Sequence, residues 1–227
     1  MNAPNSSVLI ESPVLIDAPV GAGVAHGTLE IPANARNIIV FAHGQTSSNL
    51  SPRNRLVARS LLHRGFAIWL PDLSSGAAEH PVPAAQPDRE RLFRTANQLV
   101  AIIDWLAVNP ATSGLRIGLF GAGTGAAAAL IAAARRPATV HAVVCRGGRP
   151  DLAGELLAEV QAPTLMLVGS KDEAAIDRNR DAIGKMRCKP MLEVIHGTNH
   201  LFAEPGKLDQ VASISYLWFH RALARRA

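Results

Sequence analysis

Apolar positions along this chain fall into two alternating patterns. The first is a set of short, nearly unbroken apolar runs: Asn37–Ala42 (NIIVFA), Phe66–Leu70 (FAIWL), Leu115–Phe120, Val140–Val144, Pro163–Val168 and Met191–Ile195. Runs this short and this apolar suit strands buried on both faces, as in a parallel sheet. Between them lie longer stretches that read as helices: Ser51–His63, Asp88–Val108, Gly123–Arg135, Glu173–Met186 and Pro205–Ala224, with a short one at Asp151–Glu159. Ser51 followed by Pro52 is a helix start, with Ser at the N-cap and Pro at the first helical position, and Gly65 ends that helix. The opening segment has a different grammar. Val8–Ile10, Val14–Asp17 and Val24–Ile31, separated by Ser12-Pro13 and Gly21-Ala22-Gly23, read as short antiparallel strands. Residues 74–87, rich in Pro, Ala, Gly and Ser, read as a loop or a minimal cap.

Strand and helix alternate from residue 37 onward. That pattern predicts one α/β domain over residues 1–227, built on a mostly parallel sheet of about eight strands with helices on both faces. No internal repeat is visible. In such sheets the working groups sit beyond the carboxyl ends of the strands. The loops at 43–50, 72–87, 121–124, 145–150, 169–173 and 196–204 are therefore where chemistry is expected.

Composition narrows the classes. Apolar residues make up 48 % of the 227 and charged residues 18 %, which excludes a disordered chain or a coiled coil. Lys and Arg total 23 against 18 Asp and Glu, a net +5. The basic residues are scattered, without the basic-aromatic pattern of a nucleic-acid face, so the charge implies at most a bias toward anionic small molecules. Ile117–Ala134 is nearly free of polar groups and about as long as a short membrane span. It holds four glycines and changes from a β-rich half to an alanine-rich half, so a buried strand running into a buried helix explains it better. The N-terminus shows no basic region followed by an apolar core. The expected setting is cytoplasmic, with no membrane partner. Two cysteines, Cys145 and Cys188, cannot form a disulfide framework.

The most informative stretch is Gly121-Ala122-Gly123-Thr124-Gly125, between a strand and a helix. G-x-S-x-G in that place is a nucleophile elbow, a strained turn that lifts a serine hydroxyl above the sheet. Here the middle residue is Gly123. Asp172 follows the strand PTLMLV, and His200 follows the last strand. Nucleophile position, acid, then histidine is the chain order of α/β-hydrolases. His43-Gly44-Gln45 ends the first long strand, where an oxyanion-hole N–H is normally supplied. Asp172 could instead merely cap the next helix. Cys145 reads as a small buried hydrophobe or as a replacement thiol. Arg146 and Arg149 read as anchors for an anionic substrate or as loop braces, with Asp151 a local partner for Arg149. Gly121 to Ala126 also matches the dinucleotide fingerprint G-x-G-x-x-G/A, but no acid lies between Gly121 and Arg149 to hold a ribose.

Taken together, FAHGQTSSNLSPRNR, AIIDWL, IGLFGAGTGAAAAL, RGGRPDLA, APTLMLVGSKDE and GTNHLF resemble an α/β-hydrolase of the dienelactone-hydrolase-like group, over essentially the whole chain. The resemblance implies an α/β-hydrolase fold, Asp172 as the acid and His200 as the base. It also implies the backbone N–H groups of Gln45 and Thr124 as an oxyanion hole. Gly44, Arg146 and Arg149, on the neighbouring strand-end loops, are expected near the substrate. The resemblance implies no cofactor and no metal. The expected substrate is a small ester or lactone, and the expected assembly a monomer or homodimer. Where such proteins carry Ser or Cys, this chain has Gly123, either a natural replacement or a removal of the nucleophile. A noncatalytic small-molecule binder on the same scaffold is the alternative.

Overall fold

The computed structural model describes residues 7–10, 14–16, 23–25, 27–44, 51–73 and 89–224. Gln45 and the 74–87 segment lie outside the described residues. The chain opens with β1 (Ser7–Ile10), β2 (Val14–Ile16), β3 (Gly23–Ala25) and β4 (Gly27–Pro32). The strand expected over 24–31 is therefore two strands, β3 and β4, which pair with different partners. The alternation follows: β5 (Asn37–Ala42), α1 (Pro52–His63), β6 (Ala67–Pro71), α2 (Arg89–Val108), β7 (Arg116–Ala122) and α3 (Thr124–Arg135). Next come β8 (Val140–Arg146), a 3-10 segment (Pro150–Glu159), β9 (Thr164–Gly169), α4 (Glu173–Lys185), β10 (Met191–Ile195) and α5 (Lys207–Ala222).

Eight strands form the main sheet, in the order β1-β4-β6-β5-β7-β8-β9-β10. β4 is antiparallel to both β1 and β6, and the strands from β6 to β10 are parallel. The chain passes from β5 outward to β6 and then back across β5 to β7. Neighbouring connections leave in opposite directions there, which opens a crevice beyond the carboxyl ends of β5 and β7.

Two apolar layers sandwich the sheet. One packs Ile38, Val40, Leu119, Val143 and Met166 against α2, α3 and α4. The other packs Ile39, Phe41, Phe120, Val144 and Leu167 against α1 and α5. Side chains of successive strand residues go to opposite layers, as the two-residue period of a strand requires. The suspect stretch 117–134 is strand β7 running into helix α3, whose residues from Gly125 to Ala134 are all buried. Alanines there let the helix sit deep between the sheet and α2. Among the described residues no helix is long and apolar enough to cross a membrane.

Two local expectations are corrected. The segment expected as a short helix at 151–159 is 3-10 in character and is broken at Gly154 (φ 60°, ψ −131°). β8 runs to Arg146 rather than Val144, so Cys145 and Arg146 are strand residues and not loop residues. Ser51 does stand at the N-cap of α1, but its hydroxyl makes no capping bond.

Candidate active site

The strand ends align into a rim. Register pairs Ala42 with Gly121, Ala122 with Arg146, Arg146 with Leu167, and Gly169 with Ile195. The turn from β7 into α3 is sharp, and Gly123 occupies its apex at φ 59°, ψ −127°. L-residues with side chains avoid that conformation, at a cost of roughly 1–3 kcal/mol. Two backbone bonds fix the turn: the Gly123 N–H donates to the Arg146 carbonyl at 3.3 Å, and the Arg149 N–H donates to the Gly123 carbonyl at 3.0 Å. The flanking glycines are dictated by contact. A Cβ on Gly121 would lie 2.5 Å from the Ala126 Cα, and one on Gly125 would lie 2.2 Å from the Ala42 carbonyl oxygen. At Gly123 itself a Cβ would meet nothing within 4 Å. The apex therefore points into open space.

Asp172 and His200 come together, although 28 residues separate them. Asp172 both caps a helix and meets His200. Its Oδ1 accepts the Ala175 N–H at 3.0 Å and so caps α4, while its Oδ2 lies 3.1 Å from His200 Nδ1. A carboxylate at that distance fixes the proton on Nδ1 and leaves Nε2 with the lone pair, the tautomer a general base needs. Asp172 is mostly covered, whereas the His200 side chain is 53 % exposed and open to solvent.

The loops that carry these two residues are laced together. The Ser170 N–H donates to the Ile195 carbonyl, and the Lys171 N–H donates to the Thr198 carbonyl, each at 2.9 Å. The Gly197 N–H donates to Ser170 Oγ at 2.9 Å. The Thr198 hydroxyl donates to Glu204, a bond that holds the Glu204 carboxyl below its usual range. Gly147 lets the His200 backbone approach the elbow, since a Cβ there would lie 2.4 Å from the His200 carbonyl oxygen. Phe202 is buried with φ 55°, an unusual conformation for a bulky residue. Its ring is anchored in the layer beneath α1 and α5, which holds the 196–204 loop in place. No sequence signal marked Ser170, Phe202 or Glu204.

Gly44 packs against the start of α3: a Cβ there would lie 3.1 Å from Thr124 Oγ1 and 3.3 Å from Thr124 N. The end of β5 and the first residue of α3 thus adjoin, at a helix N-terminus that favours negative charge. His43 is buried, and its Nε2 accepts the Leu73 N–H at 3.1 Å, so it braces the backbone of the neighbouring strand end.

The two arginines have different surroundings. Arg149 gives Asp151 three hydrogen bonds, of 2.7 to 3.1 Å, which raise its pKa further. Arg146 is buried and donates to Asn54 Oδ1 at 3.2 Å, while its Nε and Nη1 have no partner. Burial, with Arg53 nearby, lowers it to about 10, so it stays charged at neutral pH. Cys145 is fully buried on the opposite layer, and burial pushes its thiol up to about 12. The thiolate is the nucleophilic form, so Cys145 is an inert core residue. Replacing it with alanine is expected to leave any hydrolytic rate unchanged; a rate lost in folded Cys145→Ala would assign the thiol a chemical role.

Residues 26–219 match the model of the dienelactone hydrolase family. The chain belongs to that family. A dienelactone hydrolase from Anabaena variabilis is 40 % identical, with a TM-score of 0.82 over 95 % of this chain and 99 % of its own. Est1E from Butyrivibrio proteoclasticus, solved with ferulic acid bound, shares the fold at 16 % identity, with a TM-score of 0.75 over 93 % of this chain and 100 % of its own. Two strains of Mycobacterium tuberculosis carry a relative named "Putative phosphoribosyl transferase", 45 % identical over 196 residues and 85 % of this chain. This chain spans less than half of those relatives, 43 % of their length. The distant neighbour shows the fold, and the family model with the 40 % identical structure shows the family.

Proposed function

We propose that this chain acts on small esters or lactones, with the Asp172–His200 pair as its working base and Gly123 at the nucleophile position. The observation that carries the reading is the pair itself, held at 3.1 Å beside an elbow whose apex is open. A serine or cysteine at the apex would attack the carbonyl and form an acyl-enzyme. With glycine there, His200 Nε2 takes a proton from a water instead, and the hydroxide formed attacks the ester carbon directly. The tetrahedral oxyanion is held by the N–H groups of Thr124 and Gln45. The imidazolium then returns its proton to the leaving alkoxide while Asp172 stabilises the positive ring. Enzymes that lose the triad nucleophile retain roughly 10³–10⁴-fold catalysis over water, so turnover by this route is slow.

Arg146 supports an anionic substrate group as a further part of the reading. Its carbonyl holds the Gly123 N–H, and its guanidinium keeps two nitrogens without a partner. A noncatalytic binder is the second reading, favoured by the missing side chain at Gly123. One assay separates them. On a small activated aryl ester, His200→Ala is expected to lower the rate of this chain clearly, down to the residual that binding and the oxyanion donors supply, and Asp172→Asn to lower it by a smaller factor. If the unmodified chain and folded His200→Ala hydrolyse at the same rate, the base role is wrong and the binder reading replaces it.

A further inference from the structure

The end of the sheet opposite the Gly123 turn carries a groove that the reading above leaves unused. It opens where the amino ends of β7 to β10 meet the last turns of α5, and its volume is about 880 Å³. Small-molecule sites span about 300–1,000 Å³. β7 separates Arg116 from Ala122 by about 20 Å at the usual rise per residue, so this groove and the elbow are distinct places.

Its lining is one-sided in charge. Arg116, Arg221, His141, Gln161 and the Trp218 indole contribute donors, and no Asp or Glu lines it. Neither arginine joins an ion pair among the described residues. Nine buried side-chain polar atoms among the described residues lack a hydrogen-bond partner in ordinary geometry, and Arg116 Nε and Trp218 Nε1 of this groove's lining are two of them; His141, also in the lining, is held by the backbone of Thr139 and Ile117. A buried polar group without a partner costs roughly 1–3 kcal/mol, so such a concentration calls for an explanation. The backbone adds a third sign. Between Ile117 and Gly118 the β7–β8 register slips, leaving His141 as the extra residue of a bulge. Bulges re-aim a side chain. Burial and the nearby Arg116 hold the His141 pKa below its ordinary value, so at neutral pH its ring is neutral and adds no second cation against the guanidinium.

The remaining walls are apolar. Met191 and Leu217 are exposed at 50 % and 52 %, and Ile214 and Pro163 continue the same surface. Clustered donors without acids beside an apolar wall complement a molecule with an anionic head and an apolar body. We propose that this groove is a second binding site, for an amphiphilic organic anion. Its head group lies between Arg116 and Arg221, beside the His141 and Trp218 rings. Its body covers Met191, Ile214 and Leu217. Guanidinium groups suit planar carboxylates and phosphate or sulfonate heads alike.

The test titrates the full chain with decanoate by calorimetry, with decanol as the neutral counterpart. One saturable site is expected for decanoate and none for decanol at the same concentration. The Arg116→Gln/Arg221→Gln double variant is expected to weaken decanoate about tenfold or more, and Leu217→Asp to do the same by placing a carboxylate on the wall. A readout on the unmodified chain covers the case in which the double variant does not fold. The indole ¹⁵N–H resonance of Trp218, told apart from those of Trp69 and Trp105 with Trp218→Phe, is expected to move on addition of decanoate. Equal binding of decanol, an unmoved Trp218 resonance at saturation, or unchanged affinity in the folded groove variants would each overturn the proposal.

Discussion

Gly123→Ser is expected to raise ester hydrolysis on the order of 10²-fold or more, the scale at which triad nucleophiles matter. Part of what that gain needs can be read from the geometry. A Cβ at this apex would meet no atom within 4 Å outside its chain neighbours, so the first atom of a new side chain finds open space. His200 is held by Asp172 at 3.1 Å with its other nitrogen available. Thr124, whose N–H is proposed for the oxyanion, directly follows the new nucleophile. The gain comes with a cost in stability. At φ 59° and ψ −127° a residue with a Cβ is strained, and about 1–3 kcal/mol is expected to be lost. For a chain of this size each kcal/mol lowers Tm by roughly 2–4 °C. Faster hydrolysis together with a lower Tm is thus the signature of an elbow that has regained its nucleophile. A folded variant that hydrolyses no faster than the unmodified chain across several acyl lengths would sink the assignment of the elbow.

The same variant also separates the two origins of a weak rate. If water activated by His200 is the slow step, adding the hydroxyl replaces an unpositioned nucleophile with one fixed by the turn, and the rate rises. If the site is instead built only to bind, the oxyanion donors are out of place. The hydroxyl then acylates slowly or not at all, because one missing oxyanion donor alone costs about 10²–10³ in rate. A burst of product equal to one per chain, followed by slow turnover, would mark acylation with poor deacylation.

Much of this arrangement was legible from residue order because the relevant signals are local. A double-sided apolar run needs no partner to be read as a buried strand, and the six runs from β5 to β10 all lie within two residues of the strand ends, with the widest differences at β7 and β8. Those two fall within the same margin at its limit: the strands continue two residues further, to Ala122 and Arg146, because pairing with their neighbours extends them past the point where the apolar pattern stops. The Asp172–His200 contact was legible through loop position alone, since parallel strands deliver their carboxyl ends to one rim. What escaped were features that depend on three-dimensional neighbours. Cys145 and Arg146 are adjacent in sequence, yet one faces the α2–α3 layer and the other lies against Phe120 and Asn54. Only the strand period, with the strand's true end known, tells them apart. Arg149 looked equally suited to a substrate and to Asp151, and the short loop between them lets the pair form. The groove near Arg116 left no trace in the sequence, because its lining comes from separate strand starts and from the last helix, with no shared motif.

Gly125→Ala is expected to destabilise the fold by about 3 kcal/mol or more, the upper end of what overpacking costs. The added methyl would come within 2.2 Å of the Ala42 carbonyl oxygen and 2.7 Å of the Ala42 and His43 carbonyl carbons. All three are backbone atoms of the β5 end, so no flexible side chain can yield. Relief requires α3 to move away from β5, and α3 carries both the elbow and the buried alanine face that fills the layer between sheet and α2. The change would therefore unseat Gly123 as well as the core. A matched control has the opposite sign. Gly184 lies inside α4, where a Cβ would meet nothing within 4 Å, and Gly184→Ala is expected to stabilise by about 0.5–1 kcal/mol through helix propensity alone. Denaturant unfolding of both variants measures the contrast. Equal stability of Gly125→Ala and the unmodified chain would mean that α3 does not press on β5 in solution. In that case the sharp turn at Gly123, and the site built on it, would lose its physical basis.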